Sequence, residues 1–98
     1  MPNIAYIDDD IIELNLAKEQ GFNCYEPDDY QDAINRNDVI VIDMMLGSKV
    51  MLEDIVIASS HKKVVIVSGL PELRGYYTGD KLPFLHKPFT KEQVLSAV

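Results

Sequence analysis

Cysteine is nearly absent: Cys24 is the only one in 98 residues. An internal disulfide is therefore excluded, as is a metal site built on cysteine pairs. A lone thiol fits a reducing compartment. Histidine is scarce as well, and His61 and His86 are too few for a metal cluster. Basic residues are in deficit, with 9 Lys and Arg against 16 Asp and Glu, for a formal net charge of −7. That balance argues against nucleic acid or an anionic membrane as a partner, because phosphate groups attract basic surfaces. It leaves room for a cation or a basic protein. No apolar run is long enough to span a membrane. The start, Met-Pro-Asn-Ile, lacks the basic and apolar regions of a secretory leader, so the cytoplasm is the expected compartment. Repeats, linkers and low-complexity stretches are missing too, and residues 1–98 are expected to form a single domain.

What is present is globular in character. The hydrophobic fraction is 47% and the charged fraction 26%, close to the average for soluble domains. Short apolar runs alternate with amphipathic segments. Ile4-Ala5-Tyr6-Ile7 is a strand-like run that ends in Asp8-Asp9-Asp10. Residues 11–20 read as a helix, with Ile12/Leu16 and Ile11/Leu14 at helical spacing and Gly21 as the C-terminal stop. Residues 22–25 form a weak strand, in which Cys24 is expected to be a small buried hydrophobe. Asp28 is placed to cap a short helix carrying Tyr30, Ala33 and Ile34 on one face.

Val39-Ile40-Val41-Ile42 and Val64-Val65-Ile66-Val67 are β-branched runs without alternation, ending at Asp43 and at Ser68-Gly69. Such runs suit strands buried on both faces, as in a parallel sheet between helix layers. Leu52, Ile55 and Val56 mark a helix between the two runs, ending near Ser60 or His61. Residues 71–77 read as a short helix weakened by Gly75 and Gly79. Residues 82–86 form a last strand despite Pro83. Thr90-Lys91-Glu92-Gln93 is a capping box that opens a final helix with Val94, Leu95 and Val98 on one side. The order of elements is β-α-β-α-β-α-β-(α)-β-α. Met44, Met45 and Met51 are expected to fill the core or a pocket.

Ligands of open parallel α/β sheets bind at the carboxyl ends of the strands. That edge receives Asp8 and Asp9 from the first strand, Asp43 from the third, Ser68 from the fourth and Lys87-Pro88 from the fifth. Close carboxylates repel one another, and a hard divalent cation relieves the repulsion. Mg²⁺ prefers oxygen ligands and needs only one or two carboxylates beside its waters. A carboxylate can also attack phosphorus as a nucleophile, giving an aspartyl phosphate. A metal and a lysine then neutralise the charge on the transferring group, and a serine hydroxyl can donate to it.

These stretches together resemble the receiver domain of two-component response regulators. The matching pieces are Ile4-Ala5-Tyr6-Ile7-Asp8-Asp9-Asp10, Val39-Ile40-Val41-Ile42-Asp43-Met44-Met45-Leu46, Val65-Ile66-Val67-Ser68-Gly69 and Phe84-Leu85-His86-Lys87-Pro88-Phe89. The resemblance implies a doubly wound, five-stranded parallel sheet of order 2-1-3-4-5, the flavodoxin-like receiver fold. It implies Asp43 as phosphoryl acceptor. It implies Asp9 as a direct ligand of Mg²⁺ or Mn²⁺, Asp8 as a ligand through water, and the Met45 carbonyl as a further ligand. Ser68 would be the switch hydroxyl, Lys87 the phosphoryl contact, Phe84 the aromatic switch, and Lys87-Pro88 a cis bond. The implied partners are a histidine kinase or histidine phosphotransfer protein as donor, and a separate effector or a second copy of this chain as target. No turnover of an external substrate is implied, only self-phosphorylation and its reversal.

The chain also departs from the family pattern. The helices after Asp10 and before Asp38 are each short by about one turn. Gly47 stands where the family usually has proline. Residues 70–82 are compressed, so the fourth helix is expected to be reduced, and the last helix is clipped. Met45 and Leu70 are apolar at positions that govern water access to the phosphoryl group, and the expected consequence is a slowly decaying adduct.

Taken singly, every motif has an ordinary reading. The acidic triplet suits a strand-to-helix junction with Asp10 as cap. Asp43 suits a strand end, Ser68-Gly69 a loop start, and Lys87-Pro88 a turn. A degenerate receiver fold acting as a phosphorylation-independent interaction module is one alternative. A haloacid-dehalogenase-like phosphatase using Asp8-x-Asp10 is another, although it leaves Asp43 without a role.

Overall fold

The computed structural model describes residues 2–47, 49–69 and 82–98. Five strands form one parallel sheet: β1 (Ile4–Ile7), β2 (Asn23–Tyr25), β3 (Val39–Asp43), β4 (Lys63–Ser68) and β5 (Phe84–His86), in the order β2-β1-β3-β4-β5. Ile4 lies opposite Val39, Val39 opposite Lys63, and Ile66 opposite Phe84. The helices among the described residues are α1 (Ile11–Glu19), α2 (Tyr30–Arg36), α3 (Leu52–Ala58) and α4 (Lys91–Ala97).

The side-chain period of two divides the central strands between two cores. Ile4, Tyr6, Val39, Val41, Val65 and Val67 face one side, where Leu14 and Ala17 of α1 and Val94 of α4 cover them. Ala5, Ile7, Ile40, Ile42, Val64 and Ile66 face the other, against Ala33 and Ile34 of α2 and Ile55 of α3. Burial on both faces explains why these strands are apolar at every position.

Two helix ends follow their sequence signals. Gly21 adopts φ +94°, donates from its N–H to the Lys18 carbonyl, and lets Phe22 donate back to Ala17, which closes α1. Thr90 accepts from the Gln93 N–H at 3.2 Å, and the Gln93 side chain accepts from the Thr90 N–H at 2.8 Å.

Other expectations are corrected. Asp28 does not cap α2: Pro27–Asp29 is a 3-10 turn, and Asp29 precedes the helix without a side-chain cap bond. Ile11, Ile12 and Leu16 do not form the buried stripe of α1. Apolar residues ring this helix, and the sheet takes Leu14 and Ala17 instead. Met44 is buried, but Met45 and Met51 are exposed rather than core filler. Helix α3 stops at Ala58, where the Ser59 hydroxyl donates to the Ile55 carbonyl at 2.6 Å. Cys24 is half-buried and its thiol points to the Leu14 carbonyl at 3.1 Å. The reduced fourth helix lies outside the described residues, as does Leu70.

Candidate functional site

The carboxyl edge of the sheet gathers side chains from four of its strands. Asp8 follows β1 on the same face as Tyr6, since residues two apart share a face of an extended chain. Asp8 is fully buried. Its Oδ2 accepts from the Tyr6 hydroxyl at 2.5 Å and its Oδ1 from the Asp10 N–H at 3.0 Å. Asp43 ends β3 at 6% exposure, with Oδ1 accepting from the Met45 N–H at 2.9 Å. Lys87 follows β5, and its Nζ donates to Asp43 Oδ2 at 2.9 Å and to Asp8 Oδ2 at 3.4 Å. Glu13 of α1 stands 4.0 Å from the same ammonium. Ser68 is buried at the end of β4, and its carbonyl accepts from the Lys87 N–H at 2.8 Å. The Lys87-Pro88 bond is cis.

The charges respond to this packing. Burial pushes Asp43 up to about 6, against the pull of the Met45 N–H and Lys87, and the neighbouring Asp8 charge adds to the rise. Burial acts on Asp8 in the same sense, but donation from Tyr6 and the Asp10 N–H outweighs it and holds Asp8 below the usual carboxylate range. Burial opposes the Lys87 charge, yet its bond to Asp43 and the charges of Asp43, Asp8 and Glu13 keep it above the ordinary lysine value. Burial, followed by its bond to Asp8, drives the Tyr6 phenol far upward, so it stays a donor. The edge therefore holds two buried carboxylates of unlike basicity, bridged by one ammonium.

Asp9 is exposed and lies on the rim. Its Oδ2 accepts from the Gly47 N–H at 2.6 Å, which ties the loop after β1 to the loop after β3. Phe84 is half-buried against the Ile40, Ile42 and Ile66 side of the core. The exposed His86 ring contacts the Gly69 carbonyl at 3.1 Å, on the rim beside Ser68. Asp10 is occupied as the cap of α1, accepting from Ile12 and Glu13.

Of the residues singled out from sequence, Asp8, Asp43 and Lys87 meet directly, and Ser68 joins them through the strand ends. Two contributors lay outside that set. A tyrosine inside a buried strand needs a partner for its hydroxyl, and Asp8 two residues on is the available acceptor. Gly47 offered no signal for its bond to Asp9.

By type, the carboxylate oxygens of Asp8, Asp9 and Asp43 are the hard donors that Mg²⁺ prefers. Among the described residues, no three His, Cys, Asp or Glu side chains are grouped tightly enough to hold a metal ion. Mg²⁺ needs fewer carboxylates than that, because it retains waters.

The sequence itself matches no protein-family model and no curated protein sequence. Solved structures do match. A response regulator receiver protein from Sinorhizobium medicae superposes with a TM-score of 0.68 at 21% identity, over 98% of this chain and 90% of that one. The chain has the fold of a response regulator receiver domain. The PhyR receiver domain of Erythrobacter litoralis matches at 0.64 and 17% identity, over 98% of this chain and 85% of that one. The BeF3-activated receiver domain of nitrogen regulatory protein C matches at 0.59 and 19%, over 97% and 89% of the two chains. Within that receiver fold, Asp43 closes the central strand and Lys87 reaches it from the edge. No helix among the described residues is long and apolar enough to cross a membrane.

Proposed function

We propose that this chain accepts a phosphoryl group on Asp43 and thereby switches its contacts with other proteins. The observation that carries the reading is the pairing of a buried strand-end carboxylate with Lys87 at 2.9 Å, inside a receiver fold. An Asp43 oxygen attacks phosphorus in a phosphohistidine or a small acyl phosphate. The bond from phosphorus to nitrogen, or to the acyl oxygen, breaks as the new phosphorus–oxygen bond forms. The imidazole or carboxylate leaves with the electron pair.

Attack needs an ionised Asp43, and a value of about 6 leaves it ionised at neutral pH. Lys87 remains charged and can follow the charge that moves onto the transferred group. Bound Mg²⁺ would neutralise phosphoryl oxygens, with Asp9, Asp43 and the Met45 carbonyl holding it and Asp8 acting through water. Ser68 would donate to the phosphoryl group, and Phe84 would report that movement to the surface. The exposed Met45, with Leu70, would limit water access and slow hydrolysis. A cytoplasmic histidine kinase or phosphotransfer protein is the donor this chemistry calls for. A separate effector or a second copy of the chain is the target, and no external substrate is turned over.

The phosphatase alternative loses support because Asp10 is engaged as a helix cap. The interaction-module alternative is favoured by exposed Ile11, Ile12 and Leu16 on α1, which suit a partner surface whatever the state of Asp43. Intact mass after incubation with acetyl phosphate and Mg²⁺ separates the readings. One adduct, lost in Asp43→Asn and with chelator, is expected. A folded protein with no adduct would leave the interaction module standing.

A further inference from the structure

Asp9 is the most exposed of the acids that the functional reading assigns to the cation, yet it is not idle. The Gly47 N–H donates to its Oδ2 at 2.6 Å, across 38 residues of sequence. That distance is short for an N–H donor. Gly47 is suited to the contact in two ways. It carries an N–H, and it lacks a side chain: a Cβ placed there would stand 2.6 Å from the same Asp9 oxygen. Its φ lies outside the left-handed region, and the only atoms of the described residues that a Cβ here would meet belong to the Asp9 carboxylate, so a side chain would act by displacing that carboxylate.

We propose that Gly47 is a positioning residue: its N–H latches the Asp9 carboxylate to the loop after β3 and competes there with a bound cation. An N–H dipole and a divalent cation draw on the same carboxylate charge, and their positive ends repel when they share it. The latch therefore lowers cation affinity. It also makes the conformation of residues 44–47 depend on cation occupancy. Those residues begin immediately after Asp43, and Met45 donates to it. Loading the site and reshaping the acceptor's own loop are thus one event. The proposal rests on the reading of Asp9 as a cation ligand.

The test is calorimetric titration of Mg²⁺ into the native chain, Gly47→Pro and Gly47→Ala, with the native Gly47 amide followed by NMR. Proline removes the donor, and alanine crowds the carboxylate away. Both variants should bind Mg²⁺ more tightly, Gly47→Pro by about tenfold, the factor that about 1.4 kcal/mol represents. The Gly47 amide proton should lie far downfield without cation and move back as Mg²⁺ is added. If Gly47→Pro does not fold, Gly47→Ala and the amide titration decide. Equal Mg²⁺ affinities, or an amide unmoved while Mg²⁺ binds, would overturn the latch and leave the receiver reading intact. Absence of Mg²⁺ binding in all three proteins would overturn both.

Discussion

Asp43→Asn removes a carboxylate that the fold holds in an unfavourable place, and the size of the effect follows from its titration. In the folded chain Asp43 titrates at about 6, while unfolding returns it to the ordinary value near 4. Between those values the folded state binds more protons than the unfolded state, so its stability falls as pH rises through that window. The contribution is fully present below about pH 4 and lost above about pH 6. Roughly two pH units at about 1.4 kcal/mol each amount to about 3 kcal/mol. Asparagine does not titrate. In urea unfolding with chelator, the stability of Asp43→Asn relative to the native chain should therefore improve by about 3 kcal/mol between pH 4 and pH 7. Asp8, held low, titrates in the opposite sense and is present in both proteins. A difference that stays flat with pH, or that moves in favour of the native chain, would refute the claim that burial strains Asp43.

Lys87→Met leaves Asp8 and Asp43 without their shared ammonium and should cost about 3 kcal/mol in chelator, with part recovered in millimolar Mg²⁺. Matched urea titrations with and without Mg²⁺ check both halves. Ile55→Ala empties the fully buried position by which α3 packs on the sheet and should cost about 3 kcal/mol by the same assay. Ile12→Ser should change stability by less than about 0.5 kcal/mol, because Ile12 is 67% exposed on α1. A loss of several kcal/mol there would place Ile12 in the core after all.

The strands were legible because their chemistry is unambiguous. Val39 to Ile42 and Val64 to Val67 permit no polar face, so they had to lie inside a sheet covered on both sides. Their ends then placed Asp43 and Ser68 on one edge, and the capping box at Thr90 fixed where α4 begins. Helix α1 was harder to orient. Ile11, Ile12, Leu14, Leu16 and Ala17 offer more than one apolar stripe, and only packing against Tyr6 and Phe22 selects Leu14 and Ala17. Asp28 looked like a cap because Asp often is one, but the proline before it starts a 3-10 turn first. In the site, the strand-end residues were readable from position alone. The Gly47 bond to Asp9 was not, since it joins two loops whose separation no local pattern encodes.

The central claim is that Asp43, and no other acid of this edge, carries the phosphoryl group. Borohydride reduction of the acetyl phosphate adduct, followed by peptide mapping, tests it most directly, because an aspartyl phosphate is converted to homoserine at the acceptor. The account predicts homoserine at position 43 and at no other position. Homoserine at position 8, 9 or 10, or none in a folded protein incubated with Mg²⁺, would contradict it.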